Sequence, residues 1–434
     1  MAQFVMDSCS VNEKGHLTIG GNDTVELAKQ YGTPLMVFDE DKIRQIARLY
    51  KNAMRKHFGE GARVLFASKA LSFKGIYRIM AEEGVGSDAV SSGEIYTAHS
   101  AGFDVGQMVF HGNNKTDADI EYAMSLGMGR FVVDGEEELE AINRIASERG
   151  AIQKIQIRIT PGIDPHTHKA ISTGRVDSKF GNAIVTGQAE SITRKALSLS
   201  NVELMGFHCH VGSQIFETEP FVNAAEIMLD FIADMKKKTG FTAKELNLGG
   251  GFGVRYVKEH PFFDYEQAIE LIADKVKSKV KALGIEMPDI FFEPGRSMVA
   301  AAGLTLYTVG SVKRIPNMKN YVSVDGGMTD NPRYALYQSQ YEIVVANKAV
   351  KKTDFVCSVA GRCCESGDLL AENITLAEPS KGDTLAVLVT GAYNYAMASN
   401  YNRIPRPELI MIKDGKPYVA IKRESFADLV VNEL

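Results

Sequence analysis

The residues of this chain that could do chemistry recur at one kind of position, at the end of a short apolar run or just past it. Lys69 follows the run Arg63–Ala67, Asp88 closes Val85–Val90, and His111 follows Gln107–Phe110. Arg158 lies late in Lys154–Ile159, and His210 ends Leu204–His210. The run Gly249-Gly250-Gly251-Phe252-Gly253 comes after Glu245–Leu248, and Glu293 with Arg296 follows Ile290–Phe292. A lysine amine that is neutral part of the time can form a Schiff base with a carbonyl compound. Consecutive glycine amides can form a nest for an anion such as phosphate; an ordinary glycine-rich turn would look the same. A carboxylate such as Glu293 beside a pyridine-type nitrogen keeps that nitrogen protonated, because an opposite charge favours the cationic form. An arginine such as Arg296 can grip a phosphate or carboxylate through two parallel hydrogen bonds. Each residue taken singly has a plain structural reading, such as a surface lysine or a surface ion pair. Their shared placement is the stronger signal.

His208-Cys209-His210 is an HxH pattern, and His166 with His168 makes a second. On a strand, alternate residues share a face, which suits a metal site. A metal-dependent hydrolase is therefore the rival reading. It is weakened because the first run leads to Ser68-Lys69 rather than to an HxH, and no metal is expected. An imidazole stacked on a flat cofactor, with Ser213 toward its phosphate, suits the pattern better. The five cysteines include no CxxC pair, so neither a zinc knuckle nor a disulfide framework is expected.

With Arg130–Val133, eight such runs alternate with helix-like stretches, including Ala118–Leu126, Glu136–Glu148, Val222–Lys238 and Tyr265–Leu283. In the last of these Ile269, Ile272, Val276 and Val280 recur at helical spacing. Alternation of this kind implies a parallel sheet with crossover helices, and eight units suggest a closed (β/α)8 barrel. Every site position named above then falls on the C-terminal face, where barrel active sites assemble. An open doubly wound sheet would share the rhythm. After about residue 300 the pattern changes to short alternating runs split by turns such as Asp325-Gly326-Gly327 and Asp414-Gly415. The expected fold is α/β: a barrel over 35–300, with 1–34 and 301–434 forming a mainly β second domain. The chain has 434 residues and a net charge of −5, so there is no basic face for nucleic acid. No apolar run is long enough to span a bilayer, and the N-terminus lacks a basic start, so a cytoplasmic location is expected.

Taken together, these segments resemble the fold-type-III, alanine-racemase-like family of pyridoxal-phosphate decarboxylases, and within it the diaminopimelate branch. The carrying motifs are FASKA around Lys69, HGNNK at His111–Lys115, HTHKAISTG followed by SKFG, FHCHVGSQ, NLGGGFG, EPGR, DGGMTDNPRYALY, CESGD and GAYNYAMASNYN. They run from about residue 30 to the C-terminus. The resemblance implies pyridoxal 5'-phosphate as cofactor and decarboxylation of meso-2,6-diaminopimelate to L-lysine. Another basic amino-acid decarboxylase, or a racemase on the same barrel, is the alternative. By position it implies that Lys69 holds the cofactor covalently, His210 stacks on its ring and Glu293 faces the ring nitrogen. Asp88, Ser213, Gly250, Gly251, Gly295, Arg296 and Tyr393 complete the implied cofactor site. Arg296, Arg333, Tyr337, Glu365 and Tyr393 are the implied substrate contacts. Cys364 is the implied proton donor, chosen over Cys363 because it directly precedes Glu365. In this family Cys364 and Glu365 reach the site of the other subunit, so a homodimer is implied.

Overall fold

The computed structural model describes residues 4–162 and 178–434. His166 and His168, with the whole HTHKAISTG stretch, lie outside the described residues. The contacts divide the chain into two compact units. One comprises Ile46–Gly253 and Phe262–Ser297, and the other comprises residues up to Gln45, Val254–Pro261 and Met298–Leu434.

The first unit is a closed parallel barrel. Its strands are β1 (Arg63–Phe66), β2 (Gly86–Ala89), β3 (Met108–Phe110), β4 (Arg130–Val133), β5 (Gln153–Thr160), β6 (Val202–His208), β7 (Glu245–Asn247) and β8 (Asp289–Phe292). Each pairs in parallel with the next, and β8 pairs with β1 to close the ring. Helices cover the outside. Tyr265–Leu283 buries Ile269, Ile272, Val276 and Val280 on one stripe, starts at an Asp264 side-chain cap and ends at Gly284 in the left-handed region. The strands are short and largely buried; Arg63–Phe66, Met108–Phe110, Arg130–Val133 and Asp289–Phe292 are mostly apolar, whereas Gly86–Ala89 and Glu245–Asn247 carry buried polar residues. Leu65, Val109, Val132 and Phe291 form one buried cluster inside the unit.

The second unit is built on the long strand Gly303–Arg314. This strand pairs antiparallel with Asn320–Val324, with Thr384–Val387 and with Leu35–Asp39. Leu35–Asp39 also pairs in parallel with Glu408–Lys413. The 35–39 run therefore belongs to this sheet, not to the barrel that the sequence reading began at residue 35. A wholly buried five-residue run is the same signal in either setting, so periodicity could not assign it. Leu369–Leu376, which the sequence reading missed, pairs antiparallel with Phe355–Ala360. Among the described residues all five cysteines are free, and no helix is long and apolar enough to cross a membrane.

Candidate active site

Glu293 directly follows β8, and three donors from neighbouring strands converge on its carboxylate. His111, just past β3, reaches Oε1 through Nε2 at 2.7 Å. Asn247, the last residue of β7, donates through Nδ2 to the same oxygen at 2.7 Å. His208, the last residue of β6, reaches Oε2 through Nε2 at 3.2 Å. Burial alone would raise the Glu293 carboxyl, but the facing His111 and His208 outweigh it and hold the group well below its usual range. Burial pushes His208 down to about 3 and lowers His111 as well. The stable assignment is therefore an ionised Glu293 receiving N–H bonds from two neutral imidazoles. Oε2 carries a single long bond and retains capacity for one further donor.

The ligand atoms of His111, His208 and Glu293 lie within 4.8 Å of one another, a spacing a metal could use. The ionised carboxylate is best satisfied with the Nε2 proton of each imidazole turned toward it, which makes the two histidines hydrogen-bond donors to Glu293. His210, the other half of the HxH, is outside this cluster. Its Nδ1 accepts the Gly250 N–H at 3.3 Å, which leaves its proton on Nε2. Burial, followed by the Lys69 and Arg158 charges, pushes His210 well below its ordinary value. It is a neutral, half-buried ring at the barrel mouth.

The glycines after β7 are required by close backbone approaches. A Cβ on Gly250 would sit 2.1 Å from the Glu293 carbonyl oxygen. One on Gly251, at φ +117°, would sit 2.3 Å from that of Gly212. Gly295 packs on the turn that carries Lys69, and a Cβ there would meet the Ala67 Cβ at 2.7 Å. Arg296 is buried and donates to Ser213 Oγ from Nε at 3.3 Å and from a terminal nitrogen at 2.9 Å. Lys69 is exposed in a short 3-10 turn, Ser68–Ala70. The amide of Ser68 in that turn donates to Asp88 Oδ1 at 2.8 Å. Burial, then the Glu293 charge, raises Asp88 well above the ordinary carboxyl value, and Lys69 opposes the shift. One barrel mouth thus presents an amine, an ionised carboxylate, a neutral imidazole, a glycine nest and a paired Arg–Ser. These are the donor types that a pyridine ring bearing an aldehyde and a phosphate requires, so the residues fit pyridoxal phosphate.

The other five sequence-predicted residues lie in the second unit. Arg333, 7% exposed, opens the short helix Arg333–Tyr337. Its guanidinium lies over the rings of Tyr337 (5.5 Å), Tyr393 (5.7 Å) and Tyr256 (5.9 Å). Tyr256 was not singled out in the sequence. Tyr393 is held at φ +60°, a conformation uncommon for a bulky residue. Cys364 and Glu365 are exposed on the turn between Phe355–Ala360 and Leu369–Leu376. Asp368 ties that turn to the Gly326–Met328 loop, accepting from Met328 N and Cys363 N at 2.7 Å each. Burial, then the nearby Asp368 carboxylate, pushes the Cys363 thiol up to about 12. Cys363 faces inward to Asp368, and Cys364 faces out.

A model of the pyridoxal-binding domain of pyridoxal-dependent decarboxylases matches residues 26–300. The chain is 49% identical to the diaminopimelate decarboxylase of Bacillus methanolicus over 414 residues, covering 95% of this chain and 96% of that one. The chain belongs to the diaminopimelate decarboxylase family. It is also 44% identical to the Bacillus subtilis member, with 99% and 98% of the two chains covered. The crystal structure of the M. jannaschii diaminopimelate decarboxylase in complex with L-lysine superposes with a TM-score of 0.91 at 34% identity, covering 99% and 98%. Family membership brings pyridoxal phosphate as cofactor and confirms the barrel-plus-β architecture.

The polar residues inside the barrel were not read from the sequence. Arg130, Gln156, Glu245 and Asn247 were taken only as strand residues. Glu245 with Asn247, and Gln156 with Arg158, stand two apart on their strands and so share a face. That spacing was the available signal.

Proposed function

We propose that this chain converts meso-2,6-diaminopimelate to L-lysine and carbon dioxide, the last step of lysine biosynthesis, in the cytoplasm. The observation that carries the reading is the ionised Glu293 sharing a barrel mouth with Lys69, His210 and the glycine nest, in a chain 49% identical to a diaminopimelate decarboxylase. Bound pyridoxal phosphate supplies the electron sink for the pair left when the substrate carboxylate departs as carbon dioxide. Lys69 is the amine that would hold the cofactor aldehyde. Glu293 would keep the ring nitrogen protonated through its negative charge. His210, neutral, offers a flat face to the ring. Gly250, Gly251, Gly295, Ser213 and Arg296 would hold the phosphate, and Asp88 anchors the turn bearing Lys69.

Arg333, with Tyr337 and Tyr393, is assigned to the distal carboxylate of the substrate. Its planar guanidinium lies among these rings and suits bidentate pairing with a carboxylate. Cys364 is assigned as donor of the proton that replaces the lost carboxylate, and Glu365 as partner of the distal ammonium. Both are exposed in the second unit, as residues serving a partner's site in a homodimer must be before assembly. A carbon dioxide release assay with meso-diaminopimelate, ornithine, arginine and lysine side by side tests the reading. Release from diaminopimelate alone is expected. Comparable release from another substrate, or none from diaminopimelate, overturns it.

A further inference from the structure

A file of buried polar side chains runs through the barrel interior and ends at Glu293. Arg130, the first residue of β4, donates from Nε to Glu245 Oε1 and Oε2 at 2.9 and 2.8 Å, and from a terminal nitrogen to Oε1 at 2.5 Å. Glu245, the first residue of β7, accepts from Gln156 Nε2 at 2.8 Å. Gln156 Oε1 accepts from Asn247 Nδ2 at 3.4 Å. The same Nδ2 donates to Glu293 Oε1 at 2.7 Å, and Asn247 Oδ1 accepts the Gly249 N–H at 3.0 Å.

The ends of the file fix its sense. A guanidinium only donates and an ionised carboxylate only accepts. Gln156 must therefore turn its NH2 to Glu245 and its oxygen to Asn247. Asn247 must then turn its NH2 to Glu293 and its oxygen to Gly249. Reversing either amide sets oxygen against a carboxylate and N–H against N–H. Side-chain amides are commonly ambiguous in orientation, but this network admits one assignment.

We propose that Asn247 is a positioning residue for the cofactor: its single amide ties the ring-nitrogen carboxylate, Glu293, to the head of the glycine nest at Gly249. The Arg130–Glu245–Gln156 file locks that amide in the orientation the tie needs. The inference rests on the reading of Glu293 and the glycine nest given above. Two binding devices on adjacent strands thus share one rigid spacer, and loss of its amide loosens both. A plain packing role for Asn247 makes the opposite forecast for an isosteric change.

The test measures the apparent dissociation constant and visible absorbance of pyridoxal phosphate added to cofactor-free full-length protein, from pH 6 to 9. The chain has no tryptophan, so the cofactor's own absorbance is the probe. Removing a hydrogen bond to a charged group in Asn247→Ala is expected to raise the constant roughly ten- to a hundredfold. Asn247→Asp is expected to bind more weakly than Asn247→Ala at high pH, where two carboxylates oppose. It should recover as the pH falls and the new group takes a proton and becomes a donor. If the isosteric Asp variant instead binds like the wild type at every pH, packing is the role and the proposal fails. Should circular dichroism show both variants unfolded, Gln156→Met decides. A severalfold rise supports the locked file, and an unchanged constant overturns it. Two controls separate this from the functional reading. Wild type that binds no cofactor sinks that reading, and so does Glu293→Gln with an unchanged absorbance band. Unchanged Asn247 variants beside a responsive Glu293→Gln sink only the spacer.

Discussion

Glu293→Gln separates a role in stability from a role in chemistry. The variant keeps the shape of the side chain and removes its charge. His111 Nε2 and Asn247 Nδ2 both reach Oε1 at 2.7 Å, and His208 Nε2 reaches Oε2 at 3.2 Å. A glutamine has one oxygen and one NH2, so at least one of these three donors must face another donor. His208 can shift its proton to Nδ1, which has no partner among the described residues. The buried N–H so created costs about 1–3 kcal/mol. Against this, the protein no longer desolvates an anion, a relief of roughly several kcal/mol before compensation. Because both histidines are neutral, no counter-charge is left stranded. The terms offset, and the net change in stability is expected to stay within about 2 kcal/mol. Turnover follows a different quantity. An adjacent opposite charge moves a titrating group by about 1–3 pKa units, each worth a factor of ten in the protonated fraction. Loss of the Glu293 charge is therefore expected to lower kcat by roughly 10- to 1,000-fold. Denaturant unfolding of the cofactor-free variant, paired with its rate of carbon dioxide release, measures both. A kcat within twofold of wild type refutes the assignment of Glu293, and a variant that does not fold refutes the compensation argument.

Arg333→Ala is expected to lower kcat/KM for diaminopimelate by roughly 30-fold or more, as for loss of one partner of a buried charge pair, while cofactor retention stays unchanged. Equal loss of both, read by assay and by bound cofactor absorbance, would make Arg333 structural. Of the two adjacent thiols, Cys364→Ser is expected to slow product protonation at least about tenfold, with Cys363→Ser having the smaller effect on kcat; the reverse order in a solvent-isotope assay would move the role to the inward thiol. Asp330 is fully buried, and burial raises its carboxyl from 3.8 to about 7. The unfolded chain ionises there first, so this group's contribution to stability is present below about pH 4 and is lost as the pH climbs toward 7. Asp330→Asn cannot titrate, so its stability relative to wild type should grow by up to about 1.4 kcal/mol per pH unit across that window. Parallel denaturant curves that keep a constant gap would refute the shift.

The barrel was legible because most of its strands are short and apolar, and because seven of the eight lead into a residue with chemistry to do. Lys69, His210, Gly250 and Glu293 could be placed on one mouth from order alone, since parallel strands put all their C-terminal ends together. The second unit was harder to read. Leu369–Leu376 carries Glu372 and Asn373 in mid-run, and Asn373 adopts φ +53° beside two register shifts in its ladder. Those bulges break the alternation on which a strand reading depends. Leu35–Asp39 was not singled out as a strand, and its place at the start of the expected barrel hid its pairing in the second unit's sheet. The polar file of Gln156, Glu245 and Asn247 was hidden for a further reason. A barrel interior is ordinarily filled by apolar layers, and a polar residue in a strand is ordinarily assigned to the outside. Their partners are distant in sequence: Gln156 and Glu245 are separated by 89 residues. No local pattern shows that they satisfy one another.

The central claim is that pyridoxal phosphate is bound covalently through one amine at the C-terminal mouth of β1. Borohydride reduction of the cofactor-loaded protein, digestion and peptide mapping test it most directly. The expected result is a single pyridoxyl label on Lys69, absent from Lys69→Ala. A label on a different lysine, or no label after the cofactor is supplied in excess, would contradict the account.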